Sequence, residues 1–325
     1  MSAGHDGDNR RSGCGGRRRR NETNGRQPHP VLTPLTVSQA DRLVRLAEDA
    51  VAKRGLPMQY DGAGALMPVG SEGVPVHDGM VAGLTNLART VAGLPRQLWR
   101  SAVAAHFDQM TAPDGPPPIP DDLESELYLR LVCASTIEPT WAERMPEFAP
   151  GVITVPATYT GRAVAMYFDI DRLGVTREEA TRMGLANLRR LHDTVEHVRY
   201  DGAEITALTG SMFTASRALV LDTVLRESLQ VENPPFGCLV AMPARDLLLV
   251  HVLRDQTVLT ALDMLVTLAT TLFISRPGPV SPHVYYATDH EWHQVTDDTG
   301  EIRVQDGDRL ADAVKRLGAD RSSLL

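Results

Sequence analysis

One arginine and one aspartate lie where a turn between two strands is expected. The apolar segments Cys238–Met242 and Leu247–Leu253 have the length and composition of strands, and Pro243-Ala244-Arg245-Asp246 joins them. On such a turn, Arg245 could offer two parallel hydrogen bonds to a carboxylate or a phosphate, with Asp246 orienting it. Proline and aspartate are also common turn formers, and Arg245 could be paired within the fold. Because binding residues often lie on turns, Arg245 and Asp246 are the first candidates for contact with a ligand or partner.

His192, Asp193, Glu196 and His197 form the densest run of possible metal ligands. A helix predicted to end near residue 194 leads into this run, and His192 and Glu196 are spaced to share one helix face. A zinc-binding helix needs two histidines four residues apart with a glutamate between them, and this run lacks that pattern. Two ligands on one face do not make a metal site. The sequence therefore favours a solvated helix end and no metal, and His192 and Glu196 remain candidate contact residues.

Other reactive residue types lack the neighbours that their chemistry requires. Asp169 and Asp171 end a predicted strand and could hold a cation, but the next residues supply neither the further ligands nor the glycine of a calcium loop. The segment Asp289-His290-Glu291-Trp292-His293 would place its two histidines on opposite faces of a strand. Ser211 and Ser216 lack the glycine pattern of a nucleophile elbow, and Ser216 is predicted to cap a helix. We keep Asp169 as a candidate contact residue and predict no cofactor.

The elements that would position these residues follow from the spacing of apolar side chains. Consecutive prolines exclude both helix and central strand, so 112–120 is predicted to be a linker. Before the linker we predict helices over about 38–55, 78–93 and 95–110, with a hairpin at 58–60 and 65–69. After it we predict helices over 123–132, 176–194, 216–229, 257–274 and 309–317, and strands over 152–155, 163–168, 238–242, 247–253, 285–288 and 292–296.

These elements predict an α+β fold, a mixed α/β globular protein with short sheets flanked by helices. The proposed organisation is a disordered arginine-rich tail over 1–34, a small helix and hairpin unit over 35–111, the linker 112–120, and a larger α/β domain over 121–325.

Residues 150–275 resemble one known family. The segments that carry the resemblance are Met166–Ile170, Gly184–Leu188, Ser211–Leu219 and Val240–Asp246, of which Met242-Pro243-Ala244-Arg245-Asp246 is the most specific. In order and spacing they are similar to the YtpQ-like family of uncharacterised bacterial proteins. The resemblance implies a strand ending near an aspartate, two helices, and a strand ending in Pro-x-Arg-Asp. It implies no catalytic residue.

Charge is distributed unevenly along the chain. Residues 1–30 carry a net charge of +4 from seven arginines, and the remainder carries −12. An acidic body repels phosphate backbones, so nucleic-acid binding is expected only through the arginine-rich tail, if at all. Three separated cysteines indicate neither a disulfide framework nor a thiolate metal site. No apolar region follows Arg17–Arg20, and the apolar stretch 258–274 contains Asp263, so we predict a cytoplasmic protein with no membrane span.

Two classes of function remain open. The first is a non-catalytic binding or adaptor protein, with a protein or small molecule as its partner and the Arg245-Asp246 turn in the contact surface. The second is a hydrolase-like enzyme that assembles its site from Asp169, His192, Glu196 or Arg245. A cleft that gathers three of these side chains would favour the enzyme.

Overall fold

The computed structural model describes residues 25–69, 82–110, 119–159, 164–288, 291–297, 299–303 and 308–322. The chain divides into two compact units, Met1–Asp108 and Gln109–Leu325. The described residues form nine α-helices and three antiparallel sheets, which confirms the predicted α+β class. The predicted tail lies outside the described residues as far as position 24. Ordered structure begins earlier than the predicted Leu35, because Leu32 is already fully buried.

The first unit is a small helical assembly with a three-stranded sheet. Its elements are α1 (Val37–Ala52), β1 (Met58–Tyr60), β2 (Ala65–Pro68), β3 (Ala82–Gly83), α2 (Thr85–Ala92), a 3-10 turn (Arg96–Leu98) and α3 (Trp99–Met110). Helix α1 begins after Thr36, which forms a reciprocal capping box with Gln39. The helix predicted over about 38–55 therefore begins one residue earlier than expected, at Val37. Most of the predicted linker, 112–118, lies outside the described residues.

The second unit contains the candidate site. Its elements are α4 (Leu123–Glu126), β4 (Leu127–Cys133), α5 (Pro139–Ala142), β5 (Glu147–Ala149), β6 (Val152–Tyr159), β7 (Val164–Met166), α6 (Arg177–Arg189), β8 (Thr194–Tyr200), β9 (Ala203–Thr209), α7 (Leu221–Glu227), β10 (Cys238–Ala244), β11 (Leu247–Val252), α8 (Val258–Ser275), β12 (Val284–Ala287), β13 (Trp292–Gln294) and α9 (Arg309–Ser322). Three 3-10 segments, Ala134–Thr136, Ile170–Leu173 and Ala215–Val220, connect them.

The large sheet has the strand order β13-β12-β10-β11-β9-β8 and is covered on both faces. Alternate residues of β10 and β11 point to opposite faces and join two different apolar clusters. One cluster packs against α8 and α9, and the other packs against the segment 215–220, α7 and part of the smaller sheet. The two central strands are therefore almost wholly apolar and buried.

The smaller sheet is built on β6, and β4 lies at its outer side. Two backbone groups on the outer edge of β4 are satisfied by side chains of other elements. Asn187 donates to the carbonyl oxygen of Leu127 at 2.7 Å, and the amide of Leu131 donates to Oγ of Ser216 at 2.9 Å. Between them Gly184 of α6 lies so close that a Cβ there would be 2.8 Å from the amide nitrogen of Leu129. The edge is thus closed to further strand pairing.

One predicted helix, the end of a second and one predicted helix cap differ from the structure. The predicted helix 123–132 is a single helical turn followed by strand β4. The predicted helix to residue 194 ends at Arg189, and the segment after it is strand β8. Ser216 does not cap a helix, because it lies inside a 3-10 segment and its hydroxyl accepts from Leu131. The start of the helix at Arg177 is confirmed, and Thr176 and Glu179 form a capping box there.

Helix α8 is the one described helix long and apolar enough, by length and composition, to cross a membrane. One face, which includes Ala261, Leu265 and Ala269, is buried against the large sheet. On the other side Leu259 is 61% exposed. The helix therefore covers the sheet with one face and leaves part of the opposite face exposed.

Candidate anion-binding site

The predicted turn between β10 and β11 is present but shorter than expected: Pro243 and Ala244 belong to β10, and only Arg245 and Asp246 form the turn. Its backbone is fixed from two sides. The amide of Arg245 donates to the carbonyl oxygen of Gly278 at 2.8 Å, and the carbonyl oxygen of Arg245 accepts from the amide of Ala215 at 3.1 Å. The turn therefore holds the Cα of Arg245 in a rigid frame.

The side chain of Arg245 lies across Gly278. A Cβ on Gly278 would be 2.5 Å from Cδ of Arg245 and 2.9 Å from its Cγ, so only glycine leaves room for this stem. Gly278 also has a φ of +69°, a conformation that glycine adopts without strain. Arg245 is partly buried, and within the described chain its guanidinium has no hydrogen-bond or ion-pair partner. The turn thus holds the aliphatic part of Arg245 in place and leaves its guanidinium unpaired within the described chain.

Asp246 does not orient Arg245. Its Oδ2 accepts instead from Nη2 of Arg276 at 2.6 Å, just after the end of α8. Its Oδ1 is buried and has no hydrogen-bond partner among the described residues. The expected Arg245–Asp246 interaction is therefore wrong, and Asp246 connects the turn to α8.

Arg130 is the second cation at this place, and sequence reasoning missed it. It lies on β4 opposite Val155 of β6, is only 8% exposed, and has no hydrogen-bond or ion-pair partner in the part of the chain described. Burial, and then the positive charge of the nearby Arg245, lower the pKa of Arg130 to about 10. At neutral pH Arg130 is still charged, so β4 carries a buried positive charge that no described carboxylate neutralises.

The backbone explains why the two arginines are neighbours. Leu131, next to Arg130, donates to Ser216, and Ala215, next to Ser216, donates to Arg245. The start of the 215–220 segment thus joins the two strands that carry the cations. Beside it the rings of Tyr128 and Phe213 stack with centroids 4.5 Å apart.

The other candidate residues are not brought together. Asp169 precedes the 3-10 segment 170–173, His192 lies between α6 and β8, and Glu196 lies exposed on β8. His192 and Glu196 therefore share no helix face, because His192 lies in a loop and Glu196 lies in a strand. No hydrogen bond or ion pair among the described residues joins any two of Asp169, His192, Glu196 and Arg245.

Metal-binding geometry is not found in the described ranges, which contain no group of three or more histidine, cysteine or acidic side chains able to hold an ion. Asp289 and His290 lie outside the described residues. Next to them Glu291 interacts with His293 and with Arg309. Ser211 accepts from the amide of Phe213, so both serines considered as nucleophiles satisfy backbone groups.

A buried ion pair, also missed by sequence reasoning, lies behind the 215–220 segment. Nη1 of Arg217 contacts Oδ2 of Asp193, and both side chains are 1% exposed. Burial raises the pKa of Asp193, and the charge of Arg217 partly offsets this effect. Oδ1 of Asp193 and both Nε and Nη2 of Arg217 have no hydrogen-bond partner in the described chain. The pair connects the segment before β8 to the 215–220 segment.

A buried histidine on β11 lines a separate cavity of about 390 Å³. His251 is 6% exposed, and its Nδ1 lies 2.7 Å from the carbonyl oxygen of Glu204. A carbonyl only accepts, so Nδ1 carries the proton and Nε2 is left unprotonated. Nε2 is buried, without a partner among the described residues. Burial lowers the pKa of His251 and keeps the ring neutral.

Comparison with known proteins identifies no relative: no protein-family model, no curated protein and no solved structure matches this chain.

Proposed function

We propose that this protein is a non-catalytic binding protein whose contact surface includes the Arg245-Asp246 turn. The observation that carries this proposal is the rigid backbone and free guanidinium of Arg245. A cation that serves only the fold is normally paired, whereas Arg245 is held in place and left without a described partner. Such a preorganised donor lowers the entropic cost of binding.

The alternative, a hydrolase-like enzyme, has less support. It requires a cleft in which at least three of Asp169, His192, Glu196 and Arg245 meet. These residues lie on separate segments, with no described interaction between them. We therefore favour binding over catalysis.

The partner we propose is a protein or a small molecule. The net charge of −12 beyond residue 30 makes nucleic acid a poor partner for the folded units. A cytoplasmic location without a membrane span, and membership of the YtpQ-like family, remain part of this proposal and rest on the sequence patterns described above.

Native mass spectrometry of the protein, purified gently from its own cells, tests this function. We expect the wild-type chain to carry a bound species at fixed stoichiometry, and Arg245→Ala to lose it without a change in melting temperature. Arg226→Ala is the matched control, because the side chain of Arg226 is 51% exposed and its only ion-pair partner among the described residues is its neighbour Glu227. A wild-type chain with nothing bound, or an Arg245→Ala chain that keeps the species, would refute the proposal.

A further inference from the structure

Arg130 and Arg245 form an electrostatic arrangement that is unfavourable in the isolated chain. The two positive charges are near each other, one of them is more than nine-tenths buried, and the described residues supply no carboxylate to either. Burying an unpaired charge is costly, and a like charge beside it adds to the cost. A bound anion would supply the missing negative charge and remove this cost.

The fold keeps both cations in place. Arg130 is on a strand whose two edges are both hydrogen-bonded, to β6 on one side and to Asn187 and Ser216 on the other. Arg245 is fixed by its backbone and by the close passage of its stem over Gly278. The backbones of both residues are therefore fixed, so the fold keeps the two arginines in the same neighbourhood.

We propose that Arg130 and Arg245 together bind the phosphate group of a phosphate monoester. This inference rests on the proposed function, because both use Arg245. Guanidinium groups match oxyanions through paired hydrogen bonds. A phosphate monoester carries a charge of about −1.5 to −2 at neutral pH, which balances two arginines, whereas a carboxylate balances one. The group can belong to a small metabolite or to a phosphorylated side chain of a protein partner.

The test measures binding of inorganic phosphate and of phosphoserine by calorimetry, at neutral pH and constant ionic strength, with serine and chloride as controls. We expect both phosphates to bind and both controls to fail. Arg245→Ala and Arg130→Met should each weaken binding by about ten- to a hundredfold, the fold-change expected for losing a hydrogen bond to a charged group. Arg226→Ala should leave binding unchanged. Tighter binding of a phosphoserine peptide than of free phosphoserine would identify a protein as the source of the group, and equal binding would identify a small molecule.

A second readout separates a ligand-binding role of Arg130 from a structural one. Replacing an unpaired buried charge with the apolar Met should raise the melting temperature while phosphate binding is lost. A structural arginine would instead lower it. Arg130→Lys keeps the charge without the planar fork and should bind with intermediate affinity.

Two results would overturn the inference: no binding of either phosphate by the wild-type chain, or equal binding by wild type, Arg130→Met and Arg245→Ala. If phosphate fails while native mass spectrometry finds a species that depends on Arg245, the binding function stands and the phosphate assignment falls. If phosphate binds and Arg245→Ala still keeps its native partner, the phosphate site stands and the proposed contact surface is wrong.

Discussion

Replacing Arg217 with methionine should destabilise the second unit strongly. Methionine fills much of the space of the arginine stem but leaves the carboxylate of Asp193 buried. Among the described residues only Ser228 then donates to this carboxylate, at 3.4 Å. Breaking a fully buried ion pair in this way typically costs about 3–5 kcal/mol of unfolding free energy, because the remaining charge is uncompensated.

Removing both charges should cost much less than removing one. Three polar atoms of the Asp193–Arg217 pair have no hydrogen-bond partner among the described residues. The intact pair has therefore lost hydration at these atoms without gaining hydrogen bonds in exchange. In comparable cases apolar replacement of a buried pair is neutral or stabilising by about 1–4 kcal/mol. We therefore expect Asp193→Leu/Arg217→Met to be at least as stable as wild type within about 1 kcal/mol.

Urea unfolding followed by tryptophan fluorescence is the assay. Trp292 reports on the second unit, because its ring packs against those of Phe148 and Tyr285. The unfolding free energy of small proteins falls with urea concentration at about 1–3 kcal/mol/M. At the upper end of that range, the urea midpoint of Arg217→Met should fall by about 1–2 M. As a control, Arg182→Met breaks an exposed pair with Glu124, which solvent screens, and should leave the urea midpoint nearly unchanged. An Arg217→Met cost as small as that of the control, or a double variant as unstable as the sum of the single ones, would refute the reasoning.

Two further predictions concern packing and pH. Gly184→Ala should lower the unfolding free energy by about 1–3 kcal/mol in urea unfolding, because the new Cβ would overlap Leu129 despite the better helix propensity of alanine. Gly318→Ala in α9 is the control: the nearest neighbour of its new Cβ is 3.7 Å away, so it should be neutral or stabilising. Equal effects of the two substitutions would contradict this account. The lowered pKa of His251 means that the unfolded chain binds a proton at higher pH than the fold does, so stability is present above about pH 6.5 and falls as pH drops from there towards the folded pKa. His251→Gln should flatten this fall in urea midpoints measured across that range, and an unchanged pH slope would show that other groups cause it.

The parts of the second unit that sequence patterns predicted are those with local signals. The turn at Arg245-Asp246 lies between two long apolar runs, and Thr176 with Glu179 carries the pattern of a capping box. In both cases the residues that determine the structure are adjacent in the chain, so the pattern is complete without knowledge of the fold.

The hairpin of β8 and β9 was missed although it has a local signal. Asp201-Gly202 forms a two-residue turn in which both residues have positive φ, a turn that favours this dipeptide. The helix beginning at Arg177 lacks a glycine or proline near its end, so its pattern was extended past Arg189 into the strand.

Arg130 was beyond the reach of sequence reasoning for a different reason. Its segment, from Leu123 to Cys133, has apolar residues that fit a helix as well as a strand, and α6, from a later part of the chain, closes its edge. Its importance depends on Arg245, more than one hundred residues away, and on the lack of an ion-pair partner for either arginine among the described residues. Neither fact is visible in a local pattern.

Strand β8 forms one end of the large sheet and is exposed along nearly its whole length. All seven of its residues pair with β9, and among the described residues no strand pairs with its outer side. Such an edge is a template for another chain and a common starting point for aggregation. Glu196, His197 and Arg199 place polar or charged groups on both faces of this strand, which discourages association between copies of the protein. The charged side chains of β8 are therefore expected to limit edge-to-edge pairing between copies of the protein, a role separate from any part they have in folding.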